Sequence, residues 1–106
     1  MYRPLPESLT IKQSSINGLG LFAGENLEKR TNLGMSHLKS GDTIFRTPLG
    51  GFINHSNTPN CIKAELRMSS EDLHGHQYNY KKWNLITLQD IKKGEELTVL
   101  YTFYNV

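Results

Sequence analysis

The 106-residue chain contains a single cysteine, Cys61, and no long apolar run. One cysteine excludes an internal disulfide and any zinc site built mainly from thiolates. No stretch approaches the ~20 apolar residues that a membrane-spanning helix needs, and the N-terminal "MYRPLPES" lacks the hydrophobic segment of a secretory signal. We therefore expect an intracellular protein without membrane attachment, with the cytoplasm favoured over the nucleus, and a buried, unreactive Cys61.

An excess of charge of either sign is also missing. Twelve Lys and Arg residues against 10 Asp and Glu residues give a formal net charge of +2, which permits an acidic partner but does not require nucleic acid. The segment "HGHQYNYKKW" does interleave aromatic residues with Lys81 and Lys82, as some nucleic-acid stacking platforms do. A solvated hairpin whose aromatic side chains face the core is the favoured interpretation, and nucleic-acid binding is the lesser alternative.

Residues that bind metals are scarce as well. His74 and His76 have no neighbouring cysteine and no carboxylates beyond Glu71 and Asp72. Structural zinc sites use four ligands, and catalytic sites use three. A solvated loop is therefore favoured over a metal site, and no metal is predicted.

Apolar stripes typical of helices longer than about two turns are absent. Short segments such as "LTIKQ" and "CIKAELRM" alternate apolar and polar residues, and "WNLITL" and "ELTVLYTFY" are rich in β-branched and aromatic residues. Gly, Asn, Ser and Pro separate these segments, and Lys-Lys-Gly in "QDIKKGEE" predicts a turn. The chain is predicted to form one domain, 1–106, that is mostly β and contains several small sheets.

Two stretches are unusually rich in glycine or amide residues. "GLGLFA", residues 18–23, fits a dinucleotide-binding pattern, but no sustained helix follows it and the chain is too short for a doubly wound sheet. "GGFINHSNTPNC", residues 50–61, concentrates Asn, Ser and Pro, which disfavour regular structure. Buried amide groups need hydrogen-bond partners, so this second stretch indicates a special role.

Three segments, taken in order, resemble the SET domain family of S-adenosylmethionine-dependent protein-lysine methyltransferases. They are "SSINGLGLFAGENLEKRTNLG", "GGFINHSNTPNC" and "LITLQDIKKGEELTVLYTFY". The resemblance implies small β-sheets with a knot-like C-terminal core, S-adenosyl-L-methionine as cofactor and a lysine-containing protein or peptide as substrate. It further implies that Asn54 and His55 contact the cofactor and supply no general base, and that Asn17, Gly18 and Leu19 approach it from the opposite side. A zwitterionic ligand that carries adenine would give the buried amides their partners.

The closing segment implies the catalytic residue. Tyr101 stands where the family keeps a tyrosine whose hydroxyl meets the methyl-transfer centre, and a phenol oxygen can accept a weak C–H hydrogen bond from an electron-poor methyl group. An ordinary strand tyrosine is the alternative for Tyr101. Tyr104 is assigned to the cofactor site, over the adenine or in the wall of the lysine channel, with a plain aromatic at the edge of the core as an equal alternative.

The sequence departs from the family on the substrate side. Only 30 residues, 24–53, separate the first motif from "NHS", where larger relatives carry a longer insert that supplies much of the substrate groove. A second copy of the chain would complete the channel, so a homodimer is a prediction. A non-catalytic SET-like binding module is the alternative to an enzyme. Val99 and Lys63 occupy positions where an aromatic often sets the number of methyl groups, and neither is aromatic, so that number stays open.

Overall fold

The computed structural model describes residues 5–101 and contains two four-stranded sheets. The segments that alternate in polarity or carry β-branched residues form strands, as predicted. The strands are β1 (Leu9–Gln13), β2 (Leu19–Ala23), β3 (Asn32–Ser40), β4 (Thr43–Arg46), β5 (Asn54–His55), β6 (Cys61–Glu71), β7 (Gln77–Thr87) and β8 (Glu96–Val99). The prediction of a mostly β fold built from small sheets is confirmed, and the knot-like core stays a prediction.

The first sheet has the strand order β1-β2-β8-β5 and joins the three motifs. Strands β1 and β2 form a hairpin, and β8 pairs antiparallel with β2, with Leu21 opposite Leu97. The two-residue strand β5 pairs in parallel with β8, which sets Asn54 opposite Thr98 and His55 opposite Val99. Residues that lie far apart in the sequence therefore meet at β8.

The second sheet has the order β4-β3-β7-β6, and β6 and β7 form a long hairpin. Their register is unbroken from Cys61 opposite Thr87 to Glu71 opposite Gln77. Because successive side chains of a strand point to opposite faces, odd-numbered residues of β6 and β7 share one face and even-numbered residues share the other. We call these the odd face and the even face.

The hairpin corrects one expectation from the sequence. Trp83 is buried on the odd face, whereas Tyr78 is 52% exposed and donates its hydroxyl hydrogen to Asp72. Tyr78 and Tyr80 are both on the even face, so strand alternation prevents them from joining Trp83 in the core. The prediction that all three aromatics face the core is wrong.

Apolar side chains from both sheets pack into one core. Its fully buried members, each of which contributes roughly 1.5–3 kcal/mol through burial, include Leu21, Ile53, Leu85, Ile91, Leu97 and Val99. Cys61 is also buried there, as predicted, and burial raises the pKa of its thiol to about 12, which disfavours the reactive thiolate.

The four-residue helix α1 (Pro48–Gly51) leads into the Asn-rich segment. A side chain at Gly50 would bring a Cβ to 2.5 Å from the Ser36 carbonyl oxygen, so only glycine fits where the helix crosses β3. Within residues 5–101, no helix is long and apolar enough to span a membrane.

Candidate active site

Asn54 connects the two segments that were predicted to bind the cofactor. Its side-chain amide nitrogen donates to the Asn17 carbonyl at 3.1 Å and to the Glu96 carboxylate at 2.8 Å, and it lies 3.4 Å from the Leu19 carbonyl. The structure thus brings Asn17, Leu19 and Asn54 together by direct contact, whereas their binding to a cofactor stays a prediction. It also corrects the expectation that a ligand satisfies the buried amide, because for this nitrogen the protein itself supplies the partners.

Glu96 is a residue that the sequence reasoning missed. Its carboxylate accepts hydrogen bonds from Asn54 and from the hydroxyl of Ser14, at 2.8 and 2.9 Å to its two oxygens. Gly20 leaves room for this carboxylate, because a Cβ at residue 20 would overlap its present position. The signal available in the sequence is the second glutamate of "GEE", directly before the buried strand segment "LTV".

The turn between β1 and β2 presents Asn17 and Gly18 to solvent. The Ser14 hydroxyl oxygen accepts hydrogen bonds from the backbone N–H groups of Ile16 and Asn17, at 2.8 and 3.3 Å. The Ser14 N–H donates to the Gly18 carbonyl at 2.7 Å, and Gly18 has a φ of 48°, in the region that favours glycine. Asn17, Gly18 and Leu19 are all exposed, so a ligand can approach the turn.

The groups around Asn54 fit the amino-acid portion of S-adenosylmethionine. Within residues 5–101, no donor reaches the side-chain oxygen of Asn54, and this oxygen is not sealed from solvent. A carbonyl oxygen of this kind accepts hydrogen bonds from an ammonium group, and the nearby Glu96 carboxylate favours positive charge. Asn54 would hold the ammonium end of the cofactor, with the exposed backbone of Gly18 alongside.

His55 positions Tyr101 through its ring. The Tyr101 backbone N–H donates to Nδ1 of His55 at 2.9 Å, so Nε2 carries the ring hydrogen and donates to the Asn57 side-chain oxygen at 3.1 Å. The two rings lie 5.3 Å apart, centre to centre. Because both ring nitrogens are engaged within the protein, the expectation that His55 is not a general base agrees with this geometry.

The Tyr101 hydroxyl lies against the residue that precedes Asn54. It donates to the Ile53 carbonyl at 2.5 Å, although the side chain as a whole is 52% exposed. Burial of the hydroxyl end raises the pKa of this phenol, an effect that Arg46 partly opposes. The phenol therefore keeps its proton, and its lone pairs stay available to accept a hydrogen bond.

A cavity of about 370 Å³ has Leu100, the residue before Tyr101, in its wall. Its walls are mostly apolar and comprise Pro59, Cys61, Ile62, Lys63, Trp83, Leu88, Val99 and Leu100. The Lys63 ammonium lies 5.6 Å from the centre of the Tyr101 ring, a cation–π distance, and desolvation lowers the pKa of Lys63. The cavity thus combines apolar walls with a positive charge near the phenol. Tyr104, the remaining predicted site residue, lies outside the described residues.

Several known proteins resemble this chain in sequence or in fold. The family model described as "SET domain" matches residues 31–102. Histone-lysine N-methyltransferase 2D of Homo sapiens is 31% identical over 123 aligned positions, which cover 88% of this chain and 2% of that protein. The Arabidopsis thaliana histone-lysine N-methyltransferase ASHH2 is 38% identical over 58 positions, or 55% of this chain and 3% of that protein.

Among solved structures, the chain is similar to a Plasmodium falciparum protein described as a candidate histone methyltransferase. The two share 18% identity, the match covers 93% of this chain and 96% of the other, and the TM-score is 0.64, which supports the fold. The chain spans only 2–3% of the length of the curated relatives named above. Because the family model matches well over half of its residues, the chain belongs to the SET domain family.

Proposed function

We propose that this chain transfers a methyl group from S-adenosyl-L-methionine to the side-chain amine of a lysine in a protein or peptide. The observation that carries the proposal is the hydrogen bond from the Tyr101 hydroxyl to the Ile53 carbonyl, one residue before Asn54. This bond ties the phenol to the backbone of the segment that carries Asn54, the residue proposed to hold the cofactor. The relatives named as histone-lysine N-methyltransferases support lysine as the acceptor.

When bound, S-adenosylmethionine supplies an electrophilic methyl group on a positively charged sulfur. The residues of the chain must then present a neutral amine, although a free lysine has a pKa of about 10.4. The apolar walls of the cavity and the positive charge of Lys63 both disfavour the protonated amine. They lower the pKa of the incoming lysine, whose proton leaves to solvent before the amine reaches Tyr101.

The Tyr101 hydroxyl is fixed by its bond to the Ile53 carbonyl, and the Tyr101 ring lies 5.6 Å from the ammonium of Lys63, which lines the cavity. Its hydrogen is committed to the Ile53 carbonyl, so the phenol oxygen can act only as an acceptor toward the reacting groups. That role suits an electron-poor methyl group or the hydrogen of an amine. Positioning of this kind needs no proton transfer to Tyr101, which is consistent with its raised pKa.

Replacing Tyr101 with phenylalanine tests the proposal. The change keeps the ring beside His55 and Lys63 but removes the hydroxyl, so we expect kcat to fall by about 100-fold or more. The affinity for S-adenosylmethionine should change little, as measured by isothermal titration. Tyr78→Phe is the matched control, because Tyr78 is also 52% exposed and also loses one hydroxyl hydrogen bond. Turnover close to the unmodified chain in Tyr101→Phe would remove Tyr101 from the mechanism.

The same titration, combined with a methyl-transfer assay, distinguishes an enzyme from a non-catalytic binding module. A chain that binds S-adenosylmethionine but transfers no radiolabelled methyl group to lysine-rich proteins would be a binding module. The homodimer and the intracellular location stay predictions from the sequence.

A further inference from the structure

Three cations form a row across the odd face of the second sheet. Lys39 on β3 is opposite Lys81 on β7, and Lys81 is opposite Arg67 on β6. Neighbouring strands lie ~4.8 Å apart, so the row spans about 10 Å. Like charges directly opposite each other destabilise a sheet, which means that the fold gains nothing from this arrangement. We call these three residues the cation row.

Negative side chains of the protein neutralise only part of the positive charge of the cation row. Lys81 lies 3.6 Å from the Glu65 carboxylate, whereas Lys39 and Arg67 have no ion-pair partner among residues 5–101. All three residues line a cavity of about 580 Å³, whose remaining walls come from Gly41, Met68, Ser69, Asn79 and Tyr80. A concave surface that holds unpaired cations is suited to an anionic ligand.

The cation row lies on the same face as the proposed lysine cavity. Lys63 and Trp83, which line that cavity, are odd-numbered residues of β6 and β7. Arg67 is four residues beyond Lys63, or about 13 Å along the strand, and Lys81 is two residues beyond Trp83, or about 7 Å. An extended peptide that advances ~3.3–3.6 Å per residue covers this separation in two to four residues.

We propose that the cation row binds acidic side chains of the substrate, located two to four residues from the lysine that enters the cavity. This inference rests on the proposed function and specifies its substrate class, a lysine followed or preceded at short distance by Asp or Glu. Glu65 and Glu71 lie on either side of the cation row along the odd face. Their negative charges would repel the continuous phosphate backbone of a nucleic acid, so a short acidic segment is favoured. Tyr80 also lines the cavity beside the cation row, but Tyr78 and Trp83 do not, so the described lining offers one aromatic and no succession of stacking platforms for a single strand.

The direct test measures the binding of peptides to the full chain, without cofactor and at low salt, by fluorescence anisotropy. One peptide carries a single lysine and glutamates that begin three residues from it, and the second carries glutamine in their place. We expect the acidic peptide to bind roughly tenfold more tightly, with a difference that shrinks as salt increases. Equal binding of the two peptides would overturn the proposal.

Matched charge reversals identify the surface. Arg67→Glu should remove most of the preference for the acidic peptide, whereas Lys82→Glu, the same change in charge on the even face, should leave the preference within about twofold. A similar loss in both variants would show a general charge effect and refute the docking site. Circular dichroism of both variants establishes that each is folded.

Two further outcomes distinguish the docking surface from the proposed function and from a nucleic-acid site. If the acidic peptide binds through Arg67 but is not methylated when S-adenosylmethionine is added, the docking surface is supported and the proposed function fails. If a single-stranded oligonucleotide binds more tightly than the acidic peptide and Arg67→Glu abolishes that binding, the surface is one for nucleic acid and the inference is overturned.

Discussion

Replacing Glu96 with glutamine exchanges one oxygen for an NH₂ group with almost no change in volume, yet we expect a large effect. The Asn54 amide nitrogen faces the carboxylate and can only donate. The Ser14 hydroxyl has two lone pairs, and the N–H groups of Ile16 and Asn17 already use them, so its hydrogen must go to Glu96. The carboxylate therefore meets two donors. Glutamine removes the negative charge that strengthens both hydrogen bonds, and with its oxygen at the Oε2 position its NH₂ group would lie beside a Ser14 oxygen whose lone pairs are already used.

The magnitude follows from the charged acceptor that is lost. A hydrogen bond to a charged group is worth ~1.5–3 kcal/mol, and here the site is only partly buried, so we take about 2 kcal/mol. For a domain of ~100 residues this corresponds to a fall in Tm of about 8–16 °C. The affinity for S-adenosylmethionine should fall too, because Glu96 holds both Asn54 and Ser14 in place and so supports the direct hydrogen bond between Asn54 and the Asn17 turn.

Urea and thermal unfolding followed by circular dichroism measure the first effect, and isothermal titration measures the second. Glu95→Gln is the matched control, since the exposed Glu95 accepts one hydrogen bond, from the Lys92 N–H, and glutamine keeps an acceptor for it. A destabilisation of Glu96→Gln below about 0.5 kcal/mol, the usual range of a surface change, would refute the reasoning about donors.

Three further predictions concern His37, Lys63 and His55. Burial lowers the pKa of His37 to about 4, with neighbouring cations adding to the effect. Because an unfolded histidine titrates near 6.5, the unfolding free energy measured in urea should fall by up to about 3 kcal/mol from pH 6.5 to 4, and His37→Gln should flatten that dependence. Lys63→Gln should move the rise of the methylation rate with pH to higher pH, because the incoming lysine then keeps a higher pKa. His55→Asn, which retains an acceptor near Nδ1 for the Tyr101 N–H, should lose less kcat than His55→Gln in the same assay.

The strands were predictable because each carries its signal locally. Alternation in "LTIKQ" and "CIKAELRM" reflects one buried and one exposed face, a property that survives any choice of neighbouring strand. Register is not local: it depends on where the hairpin turns. The turn at residues 72–76 assigns Tyr78 to the even face and Trp83 to the odd face, and the sequence alone offers no reason to separate them.

The site was predictable only in part, for a related reason. Asn17, Asn54 and Tyr101 belong to motifs, and the structure brings Asn17 and Asn54 into direct contact. Glu95 and Glu96 are adjacent residues of the same type in "KKGEE". The Glu95 carboxylate accepts from a backbone N–H of the turn, whereas the Glu96 carboxylate accepts from the Asn54 and Ser14 side chains. Only the tertiary pairing of β8 with its neighbours distinguishes the two.

Strand β8 links the stability of the fold to the geometry of the site. The Asn60 side chain pairs with this strand as a neighbouring strand would: its oxygen accepts from the Thr98 N–H at 2.8 Å, and its nitrogen donates to the Glu96 carbonyl at 2.9 Å. Strand β8 begins with Glu96, which binds the Asn54 side chain, and ends two residues before Tyr101. Amide side chains thus replace backbone partners where the chain is too irregular to form a longer strand. A substitution that loosens β8 must therefore weaken stability and cofactor binding together, so an activity defect with unchanged stability points to Tyr101 rather than to the network that supports it.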